Sequence, residues 1–400
     1  MAPTDKPYRV YKGGRAKGKV PAPRGARQPR ERSARGGRYR GPGAVRTAAA
    51  GRFAFLRRLR WRRWIPIAIG TLLLLFVIWG VTSFFAVRSG VEAANKRLDA
   101  AARAALTKQS GLLTTHATTI LVLGTDNAPL PGRTADDHSD SIMLVHTDPK
   151  HHRIAYLSIP RDLRVPIPGV GDTKINAAMQ AGGPELAIKT VAEYTGIPIN
   201  HVVVVNFADF KDLINALGGI TVNVPRAIVS NRFDCPYATQ AQCDQWPGWR
   251  FHKGTQTMNG REALIYSRIR ENRLDPAEND FTRQERQQAV TQGVLSKLTS
   301  FGTLISLPFD GGSYVKPVAT DLTTWQLFEL GWVKFRSGSG SALHCRLGGD
   351  SSGSGSDLLP AEDNVNVLAM FLGKSAPQLP APGLDTYPPG CAVGHELTSS

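Results

Sequence analysis

Acidic side chains are nearly absent from the first 64 residues of this 400-residue chain, where Asp5 and Glu31 face four lysines and sixteen arginines. That stretch carries +18, so the rest of the chain sums to −1 within the total of +17. The basic balance therefore says little about the partners of the remainder, and only the N-terminal arm is a polycation. Residues 1–52 also have few large apolar side chains and are rich in Gly, Arg, Pro and Ala. They cannot bury enough surface to offset ordering entropy, so the arm is expected to be disordered. As a polycation it suits either nucleic acid or anionic lipid, or is a solvated tail that only sets membrane topology. No helix-turn-helix pattern is visible in 1–64, which argues against specific nucleic-acid recognition.

Cysteine is scarce too: Cys235, Cys243, Cys345 and Cys391. They include no C-x-x-C pair and no histidine at ligand spacing, which disfavours a metal site and favours disulfides. Four cysteines allow three pairings. Proximity favours Cys235–Cys243, leaving Cys345–Cys391 to tie the C-terminal segment.

Charge is missing altogether from Ile65–Val87. These 23 residues make a helix of about 35 Å, enough to cross the hydrocarbon core. No clean small-x-small cleavage site follows, so a retained anchor is expected rather than a signal peptide. Arg57, Arg58, Arg60, Arg62 and Arg63 precede it and only Arg88 follows closely, which places the N-terminus in the cytoplasm and residues 88–400 outside. The four cysteines then lie on the side where disulfides persist. The Ala-rich, charged Val91–Lys108 predicts a helical stalk over 88–116.

Beyond the stalk, Thr119–Leu123, Ser141–His146 and Arg153–Ile159 predict three buried strands bounded by turn formers. A helix is expected over Pro184–Tyr194, with Pro at its first turn, then a strand over Val202–Phe207. An amphipathic helix, Phe207–Leu217, ends at Gly218-Gly219, and a strand follows at Ile220–Val224. Residues 226–256 are expected as a long polar loop. Asn259-Gly-Arg-Glu262 has capping-box spacing for a short helix over Gly260–Tyr266, and Thr282 could cap Arg283–Thr299. Val290, Val294 and Leu298 share one face of that helix. Helices are also expected over Thr323–Phe335 and Asp363–Leu372, a flexible Gly/Ser-rich loop over Ser337–Ser356, and irregular chain beyond 376. Strands alternating with helices predict α/β layers.

Charged residues stand at the strand ends: Asp126 after the first, Asp140 before the second, Arg161 after the third. Such ends are where an α/β sheet builds its site. Two carboxylates with several arginines suggest a divalent metal and a phosphorylated ligand. The plainer alternative is that Asp126 caps a turn and Asp140 a strand end. Arg161, Arg164, Arg268, Arg270 and Arg283 form the candidate phosphate clamp. Arg268 and Arg270 would project to one side of an extended segment, and Arg283 and Gln287 lie one turn apart near a helix start.

The motifs LGTD, SDSIMLVHTDP, SIPRDL, KINAA, YSRIR and R-x-x-R-Q-Q fall in the order and roughly at the spacing of the LytR-CpsA-Psr (LCP) family of envelope glycopolymer transferases, which the chain resembles over roughly residues 117–300. The resemblance implies a three-layer α/β/α domain with a mixed central sheet, preceded by one transmembrane helix. Its expected limits are 117–305, with a C-terminal extension over 306–400 packing on it. It implies Mg²⁺ (or Mn²⁺) on Asp126 and Asp140, and the diphosphate of a polyprenyl-linked glycan on Arg161, Arg164, Lys174, Arg268, Arg270, Arg283 and Gln287. Asp126, Asp140, Arg161, Arg268 and Arg270 are then the candidate catalytic set.

The reaction so implied ligates an undecaprenyl-diphosphate-linked glycopolymer to peptidoglycan outside the membrane, in cell-wall biogenesis, releasing undecaprenyl phosphate. Many family members carry Arg two residues before the second Asp. Here His138 stands there, a weaker clamp, and Asp136 and Asp137 add negative charge beside it. Asp126 and Asp162 are the candidates for a general base. The apolar faces of Pro184–Tyr194 and Phe207–Leu217 are candidates for a prenyl slot. The alternatives are a polyprenyl-diphosphate pyrophosphatase with water as acceptor, a non-catalytic envelope scaffold, or a transcriptional attenuator acting through the arm.

Overall fold

The computed structural model describes residues 61–125, 139–275, 280–338, 342–351, 357–380 and 387–394. The basic arm, Asp126, Asp136, Asp137 and His138 lie outside the described residues, so the expectations placed on them are not addressed by the fold.

Helix α1 (Trp61–Lys96) carries the apolar run, and Trp64–Lys96 is the one helix among the described residues long and apolar enough to cross a membrane. Helix α2 (Ala100–Ala105) starts where the Asp99 carboxylate accepts the Ala102 N–H. The stretch expected to be a stalk therefore breaks at 97–99. Val91, Ala94, Leu98, Ala102 and Leu113 are buried, so it lies against the domain instead of standing free. Next come β1 (Thr118–Thr125), β2 (Ser139–Asp148) and β3 (Arg153–Ile159), then the hairpin β4 (Arg164–Ile167) and β5 (Gly171–Lys174). Helix α3 (Ala177–Thr195) begins earlier than Pro184 and kinks at Gly182 and Gly183. Strand β6 (His201–Asn206) runs into α4 (Phe207–Ala216), where the Asn206 side chain caps the Asp209 N–H, and β7 (Ile220–Val224) follows.

The expected polar loop holds β8 (Ile228–Val229), α5 (Gln240–Gln245), β9 (Arg250–Phe251) and β10 (Gly254–Met258), with β10 paired to β7. Helix α6 (Gly260–Arg268) opens on the Asn259–Glu262 capping box. Helix α7 (Asp280–Leu298) begins before Thr282. The chain then forms α8 (Phe301–Val315), β11 (Ala319–Thr320), α9 (Thr324–Ser337), β12 (Leu343–Arg346), β13 (Gly349–Ser351), β14 (Leu358–Pro360), α10 (Asn364–Phe371) and β15 (Gly390–Val393).

The central sheet is mixed and seven-stranded, in the order β11-β6-β1-β2-β3-β12-β15. Strand β1 pairs parallel with β6 and antiparallel with β2; β12 pairs parallel with β3. Successive side chains alternate between faces. Leu121, Leu123, Leu144, Leu157 and Ile159 pack on one face against α2, α3 and α10. Ile120, Met143, Val145, Ile154 and Tyr156 pack on the other, where Leu295 of α7 and Leu330 of α9 cover them. That makes three layers, α/β/α.

Two expectations about the C-terminal part are corrected. The stretch expected as a flexible Gly/Ser loop contains β12, whose four residues are all buried inside the sheet. Its large side chains were hidden by the flanking Gly and Ser in a composition window. The Pro-rich end expected to be irregular supplies β15, joined to β12 by the Cys345–Cys391 disulfide. Residues 306–400 thus contribute three strands to the central sheet, so a boundary at 305 has no counterpart in it.

Candidate active site

The site forms where β1 ends. Pairing with β2 slips at Gly124/Thr125, a bulge of the kind often found beside active sites. A Cβ on Gly124 would come within 3.1 Å of the Ser141 Cβ, so the bare backbone lets β2 close in here. Asp140 enters from β2, and its Oδ1 accepts from Nη1 of Arg161 in the turn after β3. Arg161 Nε also reaches Asp162 Oδ2 at 3.4 Å. Lys174 of β5 binds Asp162 Oδ1 at 3.0 Å and Asp357 Oδ1 at 3.6 Å. Both Asp162 oxygens are therefore held by cations. The carboxylate suits the positioning of Arg161 and Lys174 better than the role of general base.

The opposite wall comes from α6 and α7. Arg268 ends α6, stacked over Phe207 at 4.8 Å and Phe233 at 5.6 Å from the ring centroids, and paired with Asp234. Asp234 holds a φ of 47°, and Cys235 beside it is tied to Cys243. Arg270 lies past the helix end. The extended Arg268–Arg270 segment expected from the sequence is thus half helix, because Ser267 and Arg268 continue the α6 spiral. Arg283, buried, and Gln287 project from the first turns of α7. Ser141 donates to Gln287 Oε1 at 3.1 Å, which ties α7 to β2. The next residue, Gln288, donates to the Ser158 hydroxyl (2.7 Å) and the Cys345 carbonyl (3.0 Å).

Asp140, Arg161, Lys174, Arg268, Arg270, Arg283 and Gln287 all line one cavity of about 1270 Å³. Arg164 does not. It pairs with Asp172 at 2.8 Å and Asp357 at 3.4 Å on the outside of the hairpin. Most of the charged groups come from the strand ends, the β4–β5 hairpin, α6 and α7, and Lys334 of α9 lines the cavity as well. The rest is apolar: Val122 and Val205 of the sheet, Phe210 and Leu213 of α4, Val290 and Val294 of α7, Leu307 of α8 and Phe328 of α9. The volume exceeds the roughly 300–1,000 Å³ usual for one small-molecule ligand. Of the two helices expected to line an apolar slot, α4 does so. The Pro184–Tyr194 part of α3 does not, because its Ala187, Ile188 and Val191 pack on the far face of the sheet. The walls from α8 and α9 were not foreseen, nor was Phe233. Only the Val290–Val294–Leu298 stripe pointed that way, and any core helix shows such a stripe.

Among the described residues, no group of three or more His, Cys, Asp and Glu could hold a metal ion. The donor set does not make an all-protein cage. It fits a Mg²⁺ held by one or two carboxylates and completed by phosphate oxygens and water. Asp140 is half-buried on the cavity wall beside guanidinium groups suited to the phosphates.

The LytR_cpsA_psr family model matches residues 82–339. A polyisoprenyl-teichoic acid–peptidoglycan teichoic acid transferase, TagU of Bacillus mycoides (strain KBAB4), is 35% identical over 213 residues. The match takes in 53% of this chain and 62% of TagU, so the chain spans under two thirds of that relative's length. Two solved structures are similar, each with a TM-score of 0.50. B. subtilis TagV is 28% identical, over 64% of this chain and 96% of that one. TagT bound to LIIa-WTA is 26% identical, over 66% and 94%.

Proposed function

The chain belongs to the LytR_cpsA_psr family, and from that premise we propose that it transfers a glycosyl phosphate from a polyprenyl-diphosphate-linked anionic glycopolymer to peptidoglycan outside the cell membrane. The observation that carries this reading is the two-part cavity. A cluster of cationic side chains and a large apolar lining share one cavity, which matches an amphiphile with a diphosphate head and a hydrocarbon tail. The names of TagU and TagT support the same donor and acceptor classes. The run Ile65–Val87 would anchor the domain as a single-pass span with the N-terminus in the cytoplasm.

In this mechanism an acceptor hydroxyl attacks the sugar-side phosphorus. The new P–O bond forms as the bond to the bridging oxygen breaks, and undecaprenyl phosphate leaves. The hydroxyl proton passes to solvent or to the departing phosphate. Arg161, Arg268, Arg270 and Arg283 bind and orient the diphosphate, and bidentate guanidinium contacts favour its non-bridging oxygens as charge redistributes. The Phe207 and Phe233 rings hold the Arg268 guanidinium flat, so little ordering remains for the bound state. Asp140, joined by Asp126 of the same motif set, would hold Mg²⁺. When bound, the ion neutralises diphosphate charge and makes the prenyl phosphate a better leaving group.

The test is release of prenyl phosphate from a synthetic prenyl-diphosphate glycan, followed by mass spectrometry. Release that requires both Mg²⁺ and peptidoglycan oligomers, and disappears in Asp140→Ala and Arg268→Ala, supports the transferase. Release at the same rate without acceptor replaces it with a pyrophosphatase. No release, with donor binding unchanged in both variants, leaves a scaffold.

A further inference from the structure

Helix α1 changes character within its own apolar run. From Ile65 to Ile78 its side chains are exposed on every side. From Trp79 onward one face of the helix is covered, with Ser83, Val87 and Val91 buried, while Val81 and Phe85 stay exposed on the other. The cover is α8 and α9. Trp79 Nε1 donates to the Ile305 carbonyl of α8 at 3.4 Å, and Phe84 stacks on Phe328 of α9 at 6.4 Å. The α1 and α8 backbones touch: a Cβ on Gly90 would lie 2.3 Å from the Gly312 carbonyl oxygen, and one on Gly311 2.8 Å from Val87. The two helices run in the same direction, with the Trp79 side chain reaching Ile305 and the Gly90 backbone facing Gly312.

Length then decides where α8 sits. The uncovered part of α1, Ile65–Ile78, is about 21 Å long, too short for a hydrocarbon core of about 30 Å. The missing 9 Å or so must come from the turns after Trp79, which are the turns clamped to α8. The composition of α8 agrees with that depth. Its first nine residues, Phe301–Phe309, carry no charge, and Phe301 (79%), Ile305 (52%) and Phe309 (85%) are exposed. Its first charge is Asp310, next to the Gly311 that packs on Val87, where α1 itself becomes charged at Arg88.

The hydroxyls in this region spend their hydrogen bonds inside the fold, as hydrocarbon surroundings require. Thr299 donates to the Leu295 carbonyl, Thr303 to that of Lys297, and Ser306 and Tyr314 pair with each other. Lys297 stands four residues before α8, on a stem long enough to reach headgroup phosphates. Helix α9 adds Trp325, Trp332 and Phe335, all more than half exposed, on one face. Trp at this level suits the membrane–water interface.

We propose that the N-terminal half of α8, Phe301–Phe309, is immersed in the outer leaflet beside α1, with the α9 aromatics at the interface. The cavity then opens sideways into lipid. Leu304, Trp332 and Phe335 both line the cavity and are exposed, so they form its rim on this face. A prenyl tail passes from bilayer to cavity without crossing water, while its diphosphate stays at headgroup level. The inference rests on α1 spanning the membrane, and its test separates the two.

The full-length chain is reconstituted in phosphatidylcholine–phosphatidylglycerol vesicles. The native cysteines are all in disulfides, so one added thiol takes a spin label uniquely. Labels at Phe301→Cys and Phe309→Cys are compared with Phe76→Cys in α1 and Glu193→Cys on the exposed side of α3. Collision with oxygen and with an aqueous nickel chelate is measured at each. The expected result is a lipid signature at 301 and 309, severalfold higher in oxygen over nickel than at 193 and grading toward that at 76. Lipid at 76 with water at 301 and 309 overturns the immersion and leaves the span intact. Water at 76 as well overturns both.

Discussion

Filling the cavity halfway should shorten the longest prenyl tail the protein can use. Val294 lies on the cavity wall one turn beyond Val290, and Leu298 and Leu307 line the same cavity. Val294→Trp places an indole in that space. Burial of one methylene is worth about 0.8 kcal/mol, so one prenyl repeat of roughly five carbons could contribute up to about 4 kcal/mol. Ordering the flexible tail offsets part of this, about 0.5–1.5 kcal/mol for each immobilised group, leaving roughly 2 kcal/mol per repeat. In the unaltered protein, affinity should therefore rise by one to two decades per added repeat and then level off when the cavity is full. In Val294→Trp the plateau should come at a shorter tail, with a loss of about 1.4–2.8 kcal/mol for each excluded repeat, tenfold to a hundredfold. A two-repeat diphosphate should bind as before. Displacement of a fluorescent prenyl diphosphate by a length series reads this directly. Equal weakening for short and long tails, or no change in the plateau, would refute a tail in this cavity.

Other consequences follow from the same geometry. Arg268→Lys keeps the charge but cannot stack between Phe207 and Phe233 or bind an oxyanion in two-pronged fashion. Donor KM should rise about tenfold or more, with a fold stability close to that of the parent by thermal melting. His146 lies under Phe371 with its Nδ1 at 3.0 Å from Thr119 Oγ1; burial, with Arg153 nearby, lowers its pKa from 6.5 to about 4. Between those two pH values the unfolded chain binds a proton that the folded chain does not. Stability should thus fall as pH drops from 6.5 toward 4, by up to about 3 kcal/mol. Urea titrations should show the slope flattened in His146→Gln. The Cys345–Cys391 bridge closes 46 residues and the Cys235–Cys243 bridge 8. Paired Cys→Ser replacement should cost about 4 kcal/mol for the first and about 2.5 kcal/mol for the second, read from denaturant midpoints.

The sheet's centre was legible because β1, β2 and β3 are short apolar runs between turn formers, and burial on both faces leaves them little else to be. The cap at Asn259 was legible for a local reason, since a side-chain oxygen sits within three residues of the N–H it binds. Seven of the site residues marked in the sequence do line one cavity. Arg164 does not, because the β4–β5 hairpin turns it onto Asp172 across the pair, with Asp357 from far along the chain beside it, and the motif alone does not show that the hairpin forms. Helix α8 escaped notice for the opposite reason. Gly302, Pro308, Gly311 and Gly312 all argue against a helix locally, and it is the packing of Gly311 and Gly312 on α1 that makes small residues useful there. The α3 face failed as a slot because amphipathicity says that a helix has a buried side, not which side of the sheet it covers.

The central claim is that phosphorus moves with the glycan onto peptidoglycan. A donor labelled with ³²P only at the sugar-side phosphate, incubated with the full-length protein, Mg²⁺ and peptidoglycan oligomers, tests it most directly. The account predicts label bound to peptidoglycan in a phosphodiester that also carries the glycan, with unlabelled prenyl phosphate released and no incorporation by Asp140→Ala. Label recovered only as free glycan phosphate, or retained in the lipid fraction, would contradict it.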